Sequence, residues 1–139
     1  MSRMTLKERM DALARVPVFA GLSRRSLERI ARIAKDVELR TGQVLIEPRA
    51  KGSGMFVVLE GTVTASTRGR RARELGPGEI VGELALLTAD AQRTARVRAR
   101  TPVRCLAIAR GDFRKILTDE PKVAIQVLET VAARLASPL

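Results

Sequence analysis

The chain has 139 residues, 45% of them apolar, with 26 Lys or Arg against 15 Asp or Glu and a formal charge of +11. That is ordinary single-domain size, long enough to bury about two-thirds of the unfolded surface. With one cysteine, no histidine, no apolar run near the ~20 residues of a bilayer span and no signal-peptide core, internal disulfides and a metal cluster are excluded, and a cytoplasmic address without membrane contact is the default.

Thr5 is a suitable N-cap for a first helix to about Arg15, with Leu6, Met10 and Leu13 on one face. Val16-Pro17-Val18-Phe19 breaks it, and Ser23 can cap a second helix. The apolar stripe of that helix is Leu27, Ile30, Ile33 and Ala34, opposite Arg24, Arg25, Glu28, Arg29 and Arg32. From Asp36 the period changes to two. Val37 and Leu39, then residues 44–46, 54–60, 63–65 and 72–75, read as short strands, with turns at Thr41-Gly42, Gly61 and Arg68-Gly69-Arg70 and a loop over 48–53. Many short strands between Gly-rich turns argue a mainly β protein with flanking helices, a barrel or jelly roll rather than βαβ units. Residues 103–109 form one more strand, and Cys105 within it is a core residue. Asp112 is a good N-cap for a helix through Leu117, and Pro121 can begin the next. Along that last helix Ala124, Leu128, Val131 and Leu135 recur at spacings of four, three and four, widened by Val123 and Val127. Such a seam either packs on the barrel or pairs two subunits.

The most informative stretch is residues 75–99. A Gly76-Pro77-Gly78 turn leads through Ile80 and Val81 into Gly82-Glu83-Leu84-Ala85-Leu86-Leu87; Arg93-Thr94 then opens a run in which Ala95, Val97 and Ala99 alternate with Arg96, Arg98 and Arg100. Alternation of this kind fits a half-buried strand with the arginines outward. Gly82 can take backbone angles closed to other residues and lets a ligand approach. Residues 84–87 are long enough for one turn, whose free N–H groups suit a phosphate. Arg93 could offer a planar fork to the same anion, and Glu83 could accept from hydroxyls such as a sugar's. Together they describe a phosphosugar pocket; a strand–turn–strand with a Glu83–Arg93 salt bridge is the plain alternative.

Gly82-Glu83-Leu84-Ala85-Leu86-Leu87 followed by Arg93-Thr94-Ala95 resembles the phosphate-binding cassette of the cyclic nucleotide-binding domain family. That family includes catabolite activator proteins, protein kinase regulatory subunits and cyclic nucleotide-gated channels. Gly42 before Val44-Leu45-Ile46-Glu47, Phe56-Val57-Val58-Leu59-Glu60-Gly61 and Leu75-Gly76-Pro77-Gly78-Glu79 are further marks, and the likeness covers residues 18–136. It implies a jelly-roll β-barrel (double-stranded β-helix) with N-terminal helices and two C-terminal helices. The whole chain, 1–139, would be one domain: a helical segment over 1–35, the barrel over 36–110 with its cassette at 82–95, and helices over 112–136. The ligand would be cAMP or cGMP, with no metal. Arg93 would grip the cyclic phosphate and Glu83 hold the ribose 2′-hydroxyl. Gly82, Leu84 and Ala85 would line the turn facing the phosphate, and Thr94 would add a hydroxyl contact. A threonine there accompanies cGMP binding in some relatives and does not exclude cAMP. Pro48, Gln92 and Arg96 depart from common family residues. In the family the final helix closes over the ligand and in activator proteins pairs two subunits, so a homodimer and an effector protein are the implied partners.

No Gly-x-Ser-x-Gly elbow and no Gly-x-x-x-x-Gly-Lys-Ser/Thr loop is present, and the carboxylates are scattered, so an enzyme is not expected. Phe19, Phe56 and Phe113 are the only aromatics and the arginines are spread along the chain, which argues against a specific nucleic-acid partner. Two expectations remain: a regulatory module sensing a cyclic purine nucleotide, or a degenerate barrel without ligand that serves protein interaction or dimerisation.

Overall fold

The computed structural model describes residues 3–48, 54–67, 71–82 and 95–136. Helix α1 (Leu6–Ala14) opens with a capping box: the Glu8 N–H donates to Thr5 Oγ1 at 3.1 Å and the Thr5 N–H to Glu8 Oε1 at 2.8 Å. A short 3-10 turn, Pro17–Phe19, follows, and Ser23 caps α2 (Arg24–Ile33) by accepting from the Ser26 N–H. Eight strands come next among the described residues: β1 (Lys35–Leu39), β2 (Val44–Ile46), β3 (Gly54–Glu60), β4 (Val63–Ser66), β5 (Arg73–Leu75), β6 (Ile80–Val81), β7 (Arg96–Ala99) and β8 (Val103–Ala109). Two helices close the chain, α3 (Arg110–Asp119) and α4 (Pro121–Ala136).

The strands form two antiparallel sheets, ordered β1-β8-β3-β6 and β2-β7-β4-β5. Every link between consecutive strands except β4 to β5 crosses from one sheet to the other, which is the jelly-roll wrap. Gly61 makes one of these crossings at φ +84, where an added Cβ would lie 2.1 Å from the Pro102 carbonyl oxygen. The Gly76–Glu79 turn makes another, pinned because the Val58 N–H donates to the Glu79 carbonyl at 2.9 Å and the Gly78 N–H to the Val58 carbonyl at 2.8 Å.

Two apolar layers result. Inside the barrel sit Leu39, Ile46, Val58, Val63, Leu75, Val81, Val97, Ala99, Val103 and Cys105. Outside it, the other face of the first sheet (Met55, Val57, Ile80, Leu106 and Ile108) packs on Leu13, Phe19, Ile30, Phe113 and Val127 of the helices. At the rim of that layer Arg104 reaches Asp36 at 3.4 Å and Glu38 at 2.5 Å, while the Met4 N–H donates to Asp36 at 2.9 Å, tying the chain start to the sheet.

Two local expectations are corrected. Asp112 is not the N-cap of α3: the helix starts at Arg110 behind Ala109, and Asp112 lies in its first turn, because the chain bends directly out of β8. In α4 the buried line is Val123, Val127 and Val131, spaced by four, whereas Leu128 is 68% exposed. The widening residues Val123 and Val127, together with Val131 of the expected seam, are the inward face, and one step of about 100° turns Leu128 away from it.

Candidate functional site

Burial is graded along the barrel. The short crossings over 40–43, 61–62, 76–79 and 100–102 gather at one end, where inward-facing Leu39, Val63, Leu75, Ala99 and Val103 are at most 7% exposed. Toward the opposite end, Phe56 pairs with Ala107 on one side and Val81 on the other, and Ala65 pairs with Val97. There Phe56 and Ala107 are only partly buried, as are Leu45 and Ala65, although their partners Val81 and Val97 are 2% and 3% exposed. Strand β6 leaves through Gly82 in the first sheet and β7 is entered from Ala95 in the second, both at this end.

Gly82, the last described residue of β6's exit, has φ +88, a conformation open to glycine and strained for other residues. Of the residues singled out for ligand binding, it is the one the structure places. Glu83, Leu84, Ala85, Arg93 and Thr94 lie outside the described residues, as does the turn at Arg68-Gly69-Arg70. Beyond them, β7 resumes with Val97 and Ala99 inward and Arg96 and Arg98 outward, as the alternation requires. Arg96 is therefore no part of the interior; its Nε donates to Glu47 Oε1 at 3.1 Å on the outer surface.

Two features went unread in the sequence. The partly buried lining of Phe56 and Ala107 is hidden in unbroken apolar runs, where only the pairing register separates the two faces. Arg134, in the last turn of α4, donates from its guanidinium to the Ile80 carbonyl at 2.6 Å, two residues before Gly82. A helix-end arginine carries no sequence signal for such a contact. Cys105, fully buried between the sheets, has its thiol pushed up to about 12 by burial and, less, by Asp36, so it stays protonated and unreactive.

Two antiparallel sheets wrapped as a jelly roll, with helices packed on one of them, define the fold of this chain. The model of the cyclic nucleotide-binding domain family matches residues 36–120, and the chain belongs to that family. It is 32% identical over 126 residues to a cyclic nucleotide-gated potassium channel of Rhizobium etli, an alignment covering 91% of this chain and 35% of that one. The Thermus thermophilus catabolite activator protein superposes with a TM-score of 0.73 at 27% identity, covering 86% of this chain and 58% of the other. The regulatory subunit of a cAMP-independent protein kinase A from Trypanosoma brucei gives 0.80 at 25% identity, covering 91% and 47%. The chain spans about a third of the length of the channel relatives it matches. Among the described residues, no helix is long and apolar enough to cross a membrane.

Proposed function

We propose that this domain binds a cyclic purine nucleotide, cAMP or cGMP, at the less filled end of the barrel and reports it to an effector protein. The observation that carries this reading is the entry of the cassette segment, through Gly82 at φ +88, beside that partly buried lining. In this reading Arg93 holds the cyclic phosphate, Glu83 the ribose 2′-hydroxyl, Gly82, Leu84 and Ala85 the phosphate through their backbone, and Thr94 adds a hydroxyl. Phe56 and Ala107 form an apolar floor. The whole chain, 1–139, acts as one sensor domain without catalysis or metal. Arg134 links α4 to the strand that feeds the cassette, so a ligand held by 82–95 biases how α4 packs. It can do so only by the difference in its affinity for the two arrangements.

The outward face of α4 favours a second element of the reading. Ile125 is 57% exposed and Leu128 68%, and with exposed Ala132 they follow spacings of three and four. That is a seam for pairing with a second copy. The same seam is what a ligand-free interaction module would use.

Isothermal titration with cAMP and cGMP tests the proposal. Arg93→Ala should cost about 3–5 kcal/mol, because it leaves a buried phosphate unpaired. A micromolar site would become roughly millimolar. Arg98→Ala, on the outer face, should leave nucleotide affinity unchanged. Absence of heat with either nucleotide at millimolar concentration, from folded protein, would leave the ligand-free module. In that case a sedimentation shift from dimer to monomer in Leu128→Glu would identify the seam as its working surface.

A further inference from the structure

The second sheet turns a basic face outward. Successive outward positions of β7 and its exit carry Arg96, Arg98 and Arg100, and β4 sets Ser66 opposite Arg96 and Thr64 opposite Arg98. With Pro48 and Thr67 at the rim, these residues line an open groove of about 660 Å3. The helices do not cover it: the strand residues of the helix-packed core come from β3, β6 and β8, all in the other sheet. Arg96 is braced by Glu47 and Arg100 by Glu74, while Arg98 between them has no acidic partner among the described residues. Among the described residues, the large apolar side chains found exposed are Ile125 and Leu128 of α4, so this face recognises charge rather than grease.

We propose that this groove docks an acidic, extended segment of a partner protein, independently of the nucleotide site. The spacing argues for it. Alternate residues on an extended chain lie about 6.6–6.8 Å apart, so carboxylates at every second position of a docked segment match the three arginines one to one. Each guanidinium can take a carboxylate through two parallel bonds, and the hydroxyls of Thr64 and Ser66 can meet the segment's backbone. Glu47 and Glu74 hold the outer two arginines at the rim in exposed pairs, which contribute little and exchange readily for a partner's carboxylates. A single-stranded nucleic acid would present charges at a similar pitch but needs aromatic rings to stack on. Phe19 and Phe113 are fully buried and Phe56 belongs to the barrel interior, so none is offered here.

The test uses fluorescence anisotropy of the intact chain with a labelled ten-residue peptide carrying Glu at alternate positions and Thr between. Its counterparts are the same peptide with Lys for Glu and a ten-nucleotide single strand. Expected is saturable binding of the acidic peptide alone, weakened at least tenfold in Arg96→Glu/Arg98→Glu. Arg24→Glu/Arg25→Glu, the same charge change on α2, should weaken it no more than twofold. The circular dichroism of both double variants should match the parent. Tighter binding of the oligonucleotide than of the peptide, equal losses in the two double variants, or no peptide binding would each overturn the proposal. Titration of the groove variant with cAMP keeps this outcome separate from that of the nucleotide site.

Discussion

The two sheets share one interior and differ on their backs. The first is buried on both faces, and its central strands β3 and β8 are near-continuous apolar runs whose alternate residues go to the barrel and to the helices. The second is buried on one face, and β7 reads as strict alternation of arginine with valine or alanine. The helix-covered sheet contributes to both apolar layers, while the outward side chains of β7 contribute to neither.

A core truncation and a surface truncation should separate the two sheets most widely. Leu106, fully buried under the helices, should lose about 2–5 kcal/mol as Leu106→Ala. Arg98→Ala on the open face should stay within about 0.5 kcal/mol. Urea denaturation of both variants checks it, and equal losses would mean that the outer face of the second sheet is covered after all.

A smaller effect tests the seam between the sheets. Gly61 and Gly21 have nearly the same φ, +84 and +82, but different surroundings. At Gly61 a methyl would collide with the Pro102 carbonyl, and at Gly21 it meets open space. Gly61→Ala should therefore cost about 3 kcal/mol through strain and forced backbone movement. Gly21→Ala should cost about 1 kcal/mol, the conformational penalty alone. Matching losses would show that the crossing from β3 to β4 gives way freely.

Much of this architecture was legible because local chemistry and fold agreed. Thr5 and Ser23 cap the helices they were expected to cap, and Arg96 and Arg98 point outward as the period of two demands. Illegible parts fall where two periods or two partners compete. Residues 123–135 hold apolar positions at both four-residue and three-four spacing, so which line turns inward depends on the Pro17–Phe19 turn and α3, against which it packs, rather than on α4 itself. Asp112 had the right side chain for a cap, but β8 continues straight into the helix and makes Ala109 the boundary. For the candidate site, residues 82–95 carry the recognisable family pattern, while the partial burial of Phe56 and Ala107 and the Arg134 contact follow only from register and tertiary structure.

The smallest expected effect lies at the edge of the helix layer that distinguishes the two sheets. Arg29 of α2 donates to Asp119 of α3 at 2.7 Å, and Lys115 stands 3.4 Å from the same carboxylate. The hydrogen bond from Arg29, first, and the Lys115 contact hold the Asp119 carboxyl below its ordinary value of 3.8. A lowered folded-state value means the unfolded chain takes up this proton first as pH falls. The contribution is therefore complete above about pH 4 and is lost as pH drops through the folded-state value. Arg29→Ala should leave stability near pH 7 almost unchanged, since the pair is exposed. By linkage it should flatten, by the same small amount, the fall in thermal midpoint below about pH 4, read by calorimetry. The neighbouring Ser26–Glu120 hydrogen bond, 2.6 Å and also between α2 and the α3–α4 junction, should keep the helices docked in that variant. If the midpoint instead collapses at neutral pH, the helix layer depends on its charged rim and not on Leu27, Ile30, Phe113 and Ile116 beneath it.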